Sequence, residues 1–122
     1  MIKLTFCLHR LPQLTRAEFQ DYWRNRHAPL VAKNRAALNI RRYVQCHAAT
    51  LDLNDAIRAG RGAPEMYDGV AELWWDDLDA LQSVLATAEG QAAGQELLED
   101  ERKFIDLTRS PLWFGKELQV FG

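Results

Sequence analysis

The 122-residue chain has only two cysteines, Cys7 and Cys46. They stand singly in strand-like segments without metal-ligand spacing, so neither a disulfide framework nor a zinc site is expected, and both read as small core residues. No apolar run approaches the length of a membrane span. Nor is there an excess of one charge: 15 Lys and Arg face 17 Asp and Glu, for a net charge of -2. The basic residues are scattered among acids, which excludes a nucleic-acid surface. Met1 leads straight into a strand-like segment, so no cleavable leader is expected and a reduced, cytoplasmic protein is the default. Repeats and low-complexity tracts are missing. So are G-x-G-x-x-G, the P-loop, G-x-S-x-G and H-E-x-x-H, which removes those nucleotide, serine-hydrolase and zinc-protease classes.

What is there is 48% hydrophobic and includes four tryptophans. Residues 1–122 are expected to form one domain, large enough for a genuine core. Its most informative stretch is Thr15 to Val31. Thr15 followed by Glu18 is a capping box. Phe19, Tyr22, Trp23, Arg26, His27 and Leu30 recur at helical spacing and share a face. Pro29 cannot bond the carbonyl of Asn25, so the helix should kink or end just where its one imidazole faces inward.

In chain order, Ile2 to His9 alternates and reads as a strand with one face buried. The pattern continues the first helix weakly to about Leu38, before a second strand, Ile40 to Ala49. Residues 50–65, with Gly60, Gly62 and Pro64, read as an exposed loop inserted in the domain, with room for a short helix at LNDAIRA. Asp68 to Trp75 is a third strand. Asp76 or Asp77 caps the next helix, Gly90 and Gly94 interrupt it, and a second piece runs to about Asp106. Pro111 precedes the last strand, Leu112 to Phe121. The order βαββαβ is the ferredoxin-like α+β topology, a four-stranded antiparallel sheet with helices on one face. The other face would then carry Val70 and Trp74, too apolar to leave wet, so a homodimer closed sheet to sheet is expected.

The pieces Leu8-His9-Arg10, LTRAEFQDYWRNRHAPL, RRYVQCHA and YDGVAELWWDDLDAL together resemble the EthD family of dimeric α+β-barrel proteins. The likeness covers nearly the whole chain, with residues 50–65 least typical. It implies a homodimer and a ligand pocket between each sheet and its helices. Related barrels include cyclases, muconolactone-type isomerases, cofactorless monooxygenases, haem-degrading enzymes and members with no known activity. By this likeness His27 matches the family's helix histidine and Glu72 its strand-three acid. Some isomerase relatives carry a cysteine about where Leu73 stands here.

His27 is the candidate catalytic residue, a general acid or base that can hold or release a proton near neutral pH. The alternative is a structural histidine bonded to a backbone carbonyl freed by Pro29. Phe6, Tyr22, Trp23, Tyr43 and Trp75 are candidate substrate-binding rings, or simply core. His9, His47 and Glu72 form a second tier. Glu72 is expected to face the barrel side and pair across the interface if Leu73 and Trp75 face the helices. No metal and no cofactor is called for. The expected function is binding of a small, mostly apolar cyclic or aromatic metabolite with proton-transfer chemistry of the isomerase, cyclase or lyase kind. A non-catalytic accessory or carrier role beside a degradative oxygenase, or a haem-binding or cofactorless monooxygenase, is the alternative.

Overall fold

The computed structural model describes residues 1–122. Four strands form one sheet: β1 (Ile2–Leu8), β2 (Arg42–His47), β3 (Gly69–Trp75) and β4 (Leu112–Gly115), in the order β2-β3-β1-β4. Every adjacent pair is antiparallel, with Ile2 opposite Trp75, Tyr43 opposite Leu73 and Phe6 opposite Leu112. The helices are α1 (Arg16–Tyr22), α2 (Ala28–Lys33), α3 (Asp52–Arg61), α4 (Leu78–Ser83) and α5 (Ala88–Glu101). The ferredoxin-like α+β order read from the pattern is therefore the observed one.

The period-2 alternation of the strands decides which residues share a face. Leu4, Phe6 and Leu8 of β1 and Ala71, Leu73 and Trp75 of β3 point to the helices. Tyr43, Gln45 and His47 of β2 lie in register with them. Two clusters of buried side chains fill the helix side. One contains Ile2, Val31, Trp75 and Leu97; the other contains Phe6, Phe19, Trp23, Ala71 and Phe104. Tyr43 and Leu73 pack against both.

The capping box forms as written: Glu18 N–H donates to Thr15 Oγ1 at 3.1 Å and Thr15 N–H to Glu18 Oε1 at 2.9 Å. Pro29 does not end the helical run, which continues to Lys33. Residues Trp23–His27 form a π-helical turn, in which Ala28 N–H bonds the carbonyl of Trp23. The wider turn shifts the bonding register, and Pro29 falls in the first turn of α2, where a missing N–H costs nothing.

Other boundaries also differ from the sequence reading. The segment 50–65 is mostly helical: α3 spans ten residues, buries none of them, and ends on Gly62 at φ 61. The interruption after α4 falls at Val84–Ala86, not at Gly90 or Gly94, and Thr87 caps α5 through a 2.9 Å bond from Gly90 N–H. Gly90 is glycine because a Cβ there would overlap the carbonyl of Val84. The last strand stops at Gly115, well short of Phe121. Cys7 is half-buried and Cys46 exposed; they lie on the sheet face away from the helices, so neither is a core residue.

Candidate functional site

A cavity of about 600 Å³ lies between the sheet and the helices. Of its 23 lining residues 19 are hydrophobic, so the few polar groups among them determine what chemistry it can do. Leu4, Phe6, Ala71, Leu73 and Trp75 form its floor; Trp23, His27, Val31, Leu97 and Glu101 come from the helices. Gly94, Leu97 and Glu101 share one stripe of α5, at three- and four-residue steps.

His27 is 5% exposed and its Nδ1 lies 2.7 Å from Asp100 Oδ2. The other carboxylate oxygen, Oδ1, accepts the Tyr22 hydroxyl at 2.6 Å. Phe104 is fully buried and stacks on Phe19, Tyr22 and His27, with a centroid distance of 5.0 Å to the imidazole. The ring is thus clamped by packing on one side and by a carboxylate on its edge. An acceptor on Nδ1 places the proton of neutral imidazole there and leaves Nε2 as the free base. Nε2 has no partner in the protein, and the one buried side-chain polar atom without a partner is His47 Nδ1. Nε2 therefore opens on the cavity that His27 lines.

Burial pushes the imidazole below its usual range, against the raising influence of Asp100. For Asp100, burial acts upward, but the bonds from Tyr22 and His27 outweigh it and hold the carboxylate below its usual range. Tyr22 is pushed up to about 12 by burial and by Asp100. The trio is thus a neutral phenol, a carboxylate and a neutral imidazole at pH 7.

Glu101, the next residue, has the opposite surroundings. It lines the cavity, and its carboxyl has no hydrogen-bond or ion-pair partner in the protein. Burial and the charge of Asp100 raise it to about 7.

On the strand side, Gln45 Nε2 donates to the carbonyl of Trp23 at 3.0 Å and to the Tyr43 hydroxyl at 2.7 Å. Its Oε1 then faces His47 Nε2 at 2.7 Å and must accept from it. This chain fills an acceptor position of the Tyr43 oxygen and leaves its O–H without a protein acceptor, beside the cavity that Tyr43 lines. Burial pushes the Tyr43 phenol up, so it stays a proton-bearing donor.

The structure brings together five of the expected residues. His27, Phe6, Trp23, Tyr43 and Trp75 all line the cavity. Tyr22 does not; it stands behind Asp100. His47 stacks on Trp23 at 4.3 Å and reaches the cavity only through Gln45 and Tyr43. His9 lies elsewhere, stacked on Tyr67. Glu72 faces the far side of the sheet and pairs with Lys3 of its own chain at 2.6 Å. His9, His27 and His47 do not converge, and no group of three or more His, Cys, Asp and Glu is placed to hold a metal.

Asp100 and Glu101 were outside the expected set. They sit in the acidic run Glu99-Asp100-Glu101, which looks like a solvated helix face. The stripe Leu97–Glu101 was the available signal: a carboxylate three or four residues after a core leucine faces inward.

The EthD domain model matches residues 11–108. The chain belongs to the EthD family. None of the curated proteins matches it. Among solved structures it is similar to an ethyl tert-butyl ether D (EthD) family protein from Bacillus halodurans, at 24% identity, with 97% of this chain and all of that one covered and a TM-score of 0.61. A dimeric protein of unknown function and ferredoxin-like fold from Bacteroides fragilis matches at 12% identity over 95% of both chains, with a TM-score of 0.59. SnoaB, a cofactor-independent oxygenase from Streptomyces nogalater, matches at 18% identity over 98% of this chain and 92% of its own, with a TM-score of 0.50. These likenesses establish the fold. No helix of this EthD chain is long and apolar enough to cross a membrane.

Proposed function

We propose that this EthD protein is a homodimer that binds a small, mostly apolar cyclic metabolite in the cavity of each subunit and moves a proton on it without a cofactor. The observation that carries the reading is the asymmetry of His27. Its Nδ1 is held by Asp100 while Nε2 opens on an apolar space. That is the arrangement of an oriented general base, with the carboxylate fixing the tautomer and supporting the imidazolium once the proton is taken. Tyr43 offers its free O–H to an oxygen of the ligand, where negative charge would develop. Trp23, Trp75 and Phe6 exclude water and supply flat apolar contact. Isomerisation, ring closure and elimination all need such a base.

A second reading is a carrier or accessory protein, favoured by the preponderance of apolar lining. The cofactor-independent oxygenase of similar fold adds a variant, in which the same base ionises a substrate that then meets oxygen. The test uses 2-tetralone, a cyclic ketone with acidic C–H bonds, in D2O. Quenching of tryptophan fluorescence reports entry, and proton NMR reports exchange at the α-carbon. The proposal expects quenching, and exchange that H27A removes. Quenching without exchange leaves the carrier; oxygen uptake on adding the ketone selects the oxygenase variant. With no quenching, the cavity reading fails.

A further inference from the structure

We propose that Glu101 is a second catalytic residue of this cavity, a carboxylic acid that protonates the oxygen of a bound carbonyl compound while His27 takes a proton from the adjacent carbon. This deepens the proton-transfer reading above and rests on it. Apart from Gln82, which is exposed, three polar groups without protein partners open on otherwise apolar walls: His27 Nε2, the Tyr43 O–H and the Glu101 carboxyl. A lone carboxyl among apolar side chains is costly as an ion. Ordinary packing would give it an arginine or lysine, as Lys3 serves Glu72 and Arg10 and Arg16 serve Asp68. Glu101 has no such partner, and the nearby charge is that of Asp100, of its own sign.

Two adjacent carboxyls are thereby given different states. Asp100, bonded by Tyr22 and His27, is the carboxylate that orients the base. Glu101, unbonded and shielded, keeps its proton close to neutrality. Pairs of acids split by their surroundings in this way divide acid and base work. The chemistry balances within the site. Nε2 takes a proton from the carbon next to the carbonyl, and the C–H electron pair becomes the C=C bond. The carbonyl π pair moves to oxygen, which takes the Glu101 proton while Tyr43 donates a hydrogen bond to it. An enol, an imidazolium and a carboxylate result. The carboxylate recovers its proton from the enol O–H, and His27 returns its own to the same or a conjugated carbon. The net change is exchange or a shift of the double bond, with no oxidant consumed. The ligand class is accordingly a neutral cyclic ketone or enone, because an anionic ligand would meet Asp100 and ionised Glu101.

The test combines carbon NMR of protein labelled at the glutamate carboxyl with the 2-tetralone exchange assay. The Glu101 signal is assigned by its loss in E101Q. A signal that titrates near 7 and moves on addition of 2-tetralone supports the proposal. So does an E101Q protein that still binds the ketone, by tryptophan quenching, but exchanges its α-protons about a hundredfold more slowly. A carboxyl that titrates in the ordinary range overturns it. Exchange unchanged in E101Q but abolished in H27A also overturns it, and leaves the role of His27 standing. Exchange that survives H27A overturns the underlying reading, and this proposal with it.

Discussion

Asp100 and His27 are 73 residues apart in the chain and meet at 2.7 Å, with Tyr22 on the other oxygen of the same carboxylate. The pairing ties α5 to the π-helical turn and fixes the imidazole at the same time. D100A would leave a buried imidazole N–H and a half-buried phenol without acceptors, at a cost of about 1–3 kcal/mol. D100N keeps the shape and loses the charge. It should cost less than D100A in stability, lower the imidazole further, and slow proton transfer about a hundredfold or more. Chemical denaturation and a histidine NMR titration of the three proteins decide this. An imidazole that titrates alike in wild type and D100N would contradict the pairing.

The pH dependence of stability follows from Glu101. Its folded value of about 7 lies above the unfolded 4.5. Between those limits the native state holds more protons than the unfolded chain. The contribution is therefore fully present below pH 4.5 and is lost as pH rises through 7. E101Q removes this loss, so at pH 8 it should be more stable than wild type, by at most roughly 3 kcal/mol. At pH 4 the two should nearly coincide. His27 acts in the other direction. Its folded value is depressed, so its contribution is present above the unfolded value of 6.5 and declines as pH falls through the folded one. Urea melts across pH 4 to 8 check both signs; an E101Q advantage largest at pH 4 would refute the assignment.

Gly69 lies under the ring of Trp23, and a Cβ there would overlap the indole and press on the carbonyl of Cys46. Its mid-sheet place leaves no room for relaxation. Gly69→Ala should therefore cost about 1–3 kcal/mol and shift the indole that walls the cavity. Loss of 2-tetralone quenching together with a lower Tm is the expected result. Unchanged values for both would show that Trp23 can move freely.

The fold was legible because strand alternation and the capping box are local signals, and βαββαβ follows from them. Phe6, Trp23, His27, Tyr43 and Trp75 were found for the same reason: each lies on the apolar side of a regular element. Asp100, Glu101 and Gln45 were missed because polarity in a sequence reads as exposure; the pairings of Asp100 and Gln45 appear only in the tertiary structure, and the helical spacing of Glu101 after Leu97 was outweighed by its acidic neighbours. The π-helical turn was missed because Pro29 signals a break, while the compensating register shift leaves no residue pattern of its own. In residues 50–65 the exposure and the short helix at LNDAIRA were legible, but the glycines hid its full length, although Asp52 and Asp55 at the start and Arg58 and Arg61 at the end suit a helix dipole.

The face of the sheet away from the helices bears on the homodimer. Trp74 sits there only 6% exposed, because Lys3 and Arg42 lie over its ring and Glu117 accepts its indole N–H. Its own chain therefore covers it, and it supplies less of the sticky surface than its size suggests. What stays open on that face is Cys46 and Trp113, the latter 52% exposed, beside the half-buried Val44 and Val70. The tail adds Leu118, Val120 and Phe121, all more than 80% exposed. Exposed apolar surface on a sheet face is a candidate interaction site, and a second copy of the sheet would bury it. Sedimentation at micromolar concentration should give about twice the 14.0 kDa chain mass. Val70→Glu, between Cys7 and Cys46 on that face, should give a folded monomer whose cavity still quenches with 2-tetralone. A wild-type protein that sediments as a monomer would refute sheet-to-sheet pairing, and the open face would then have to serve a different partner.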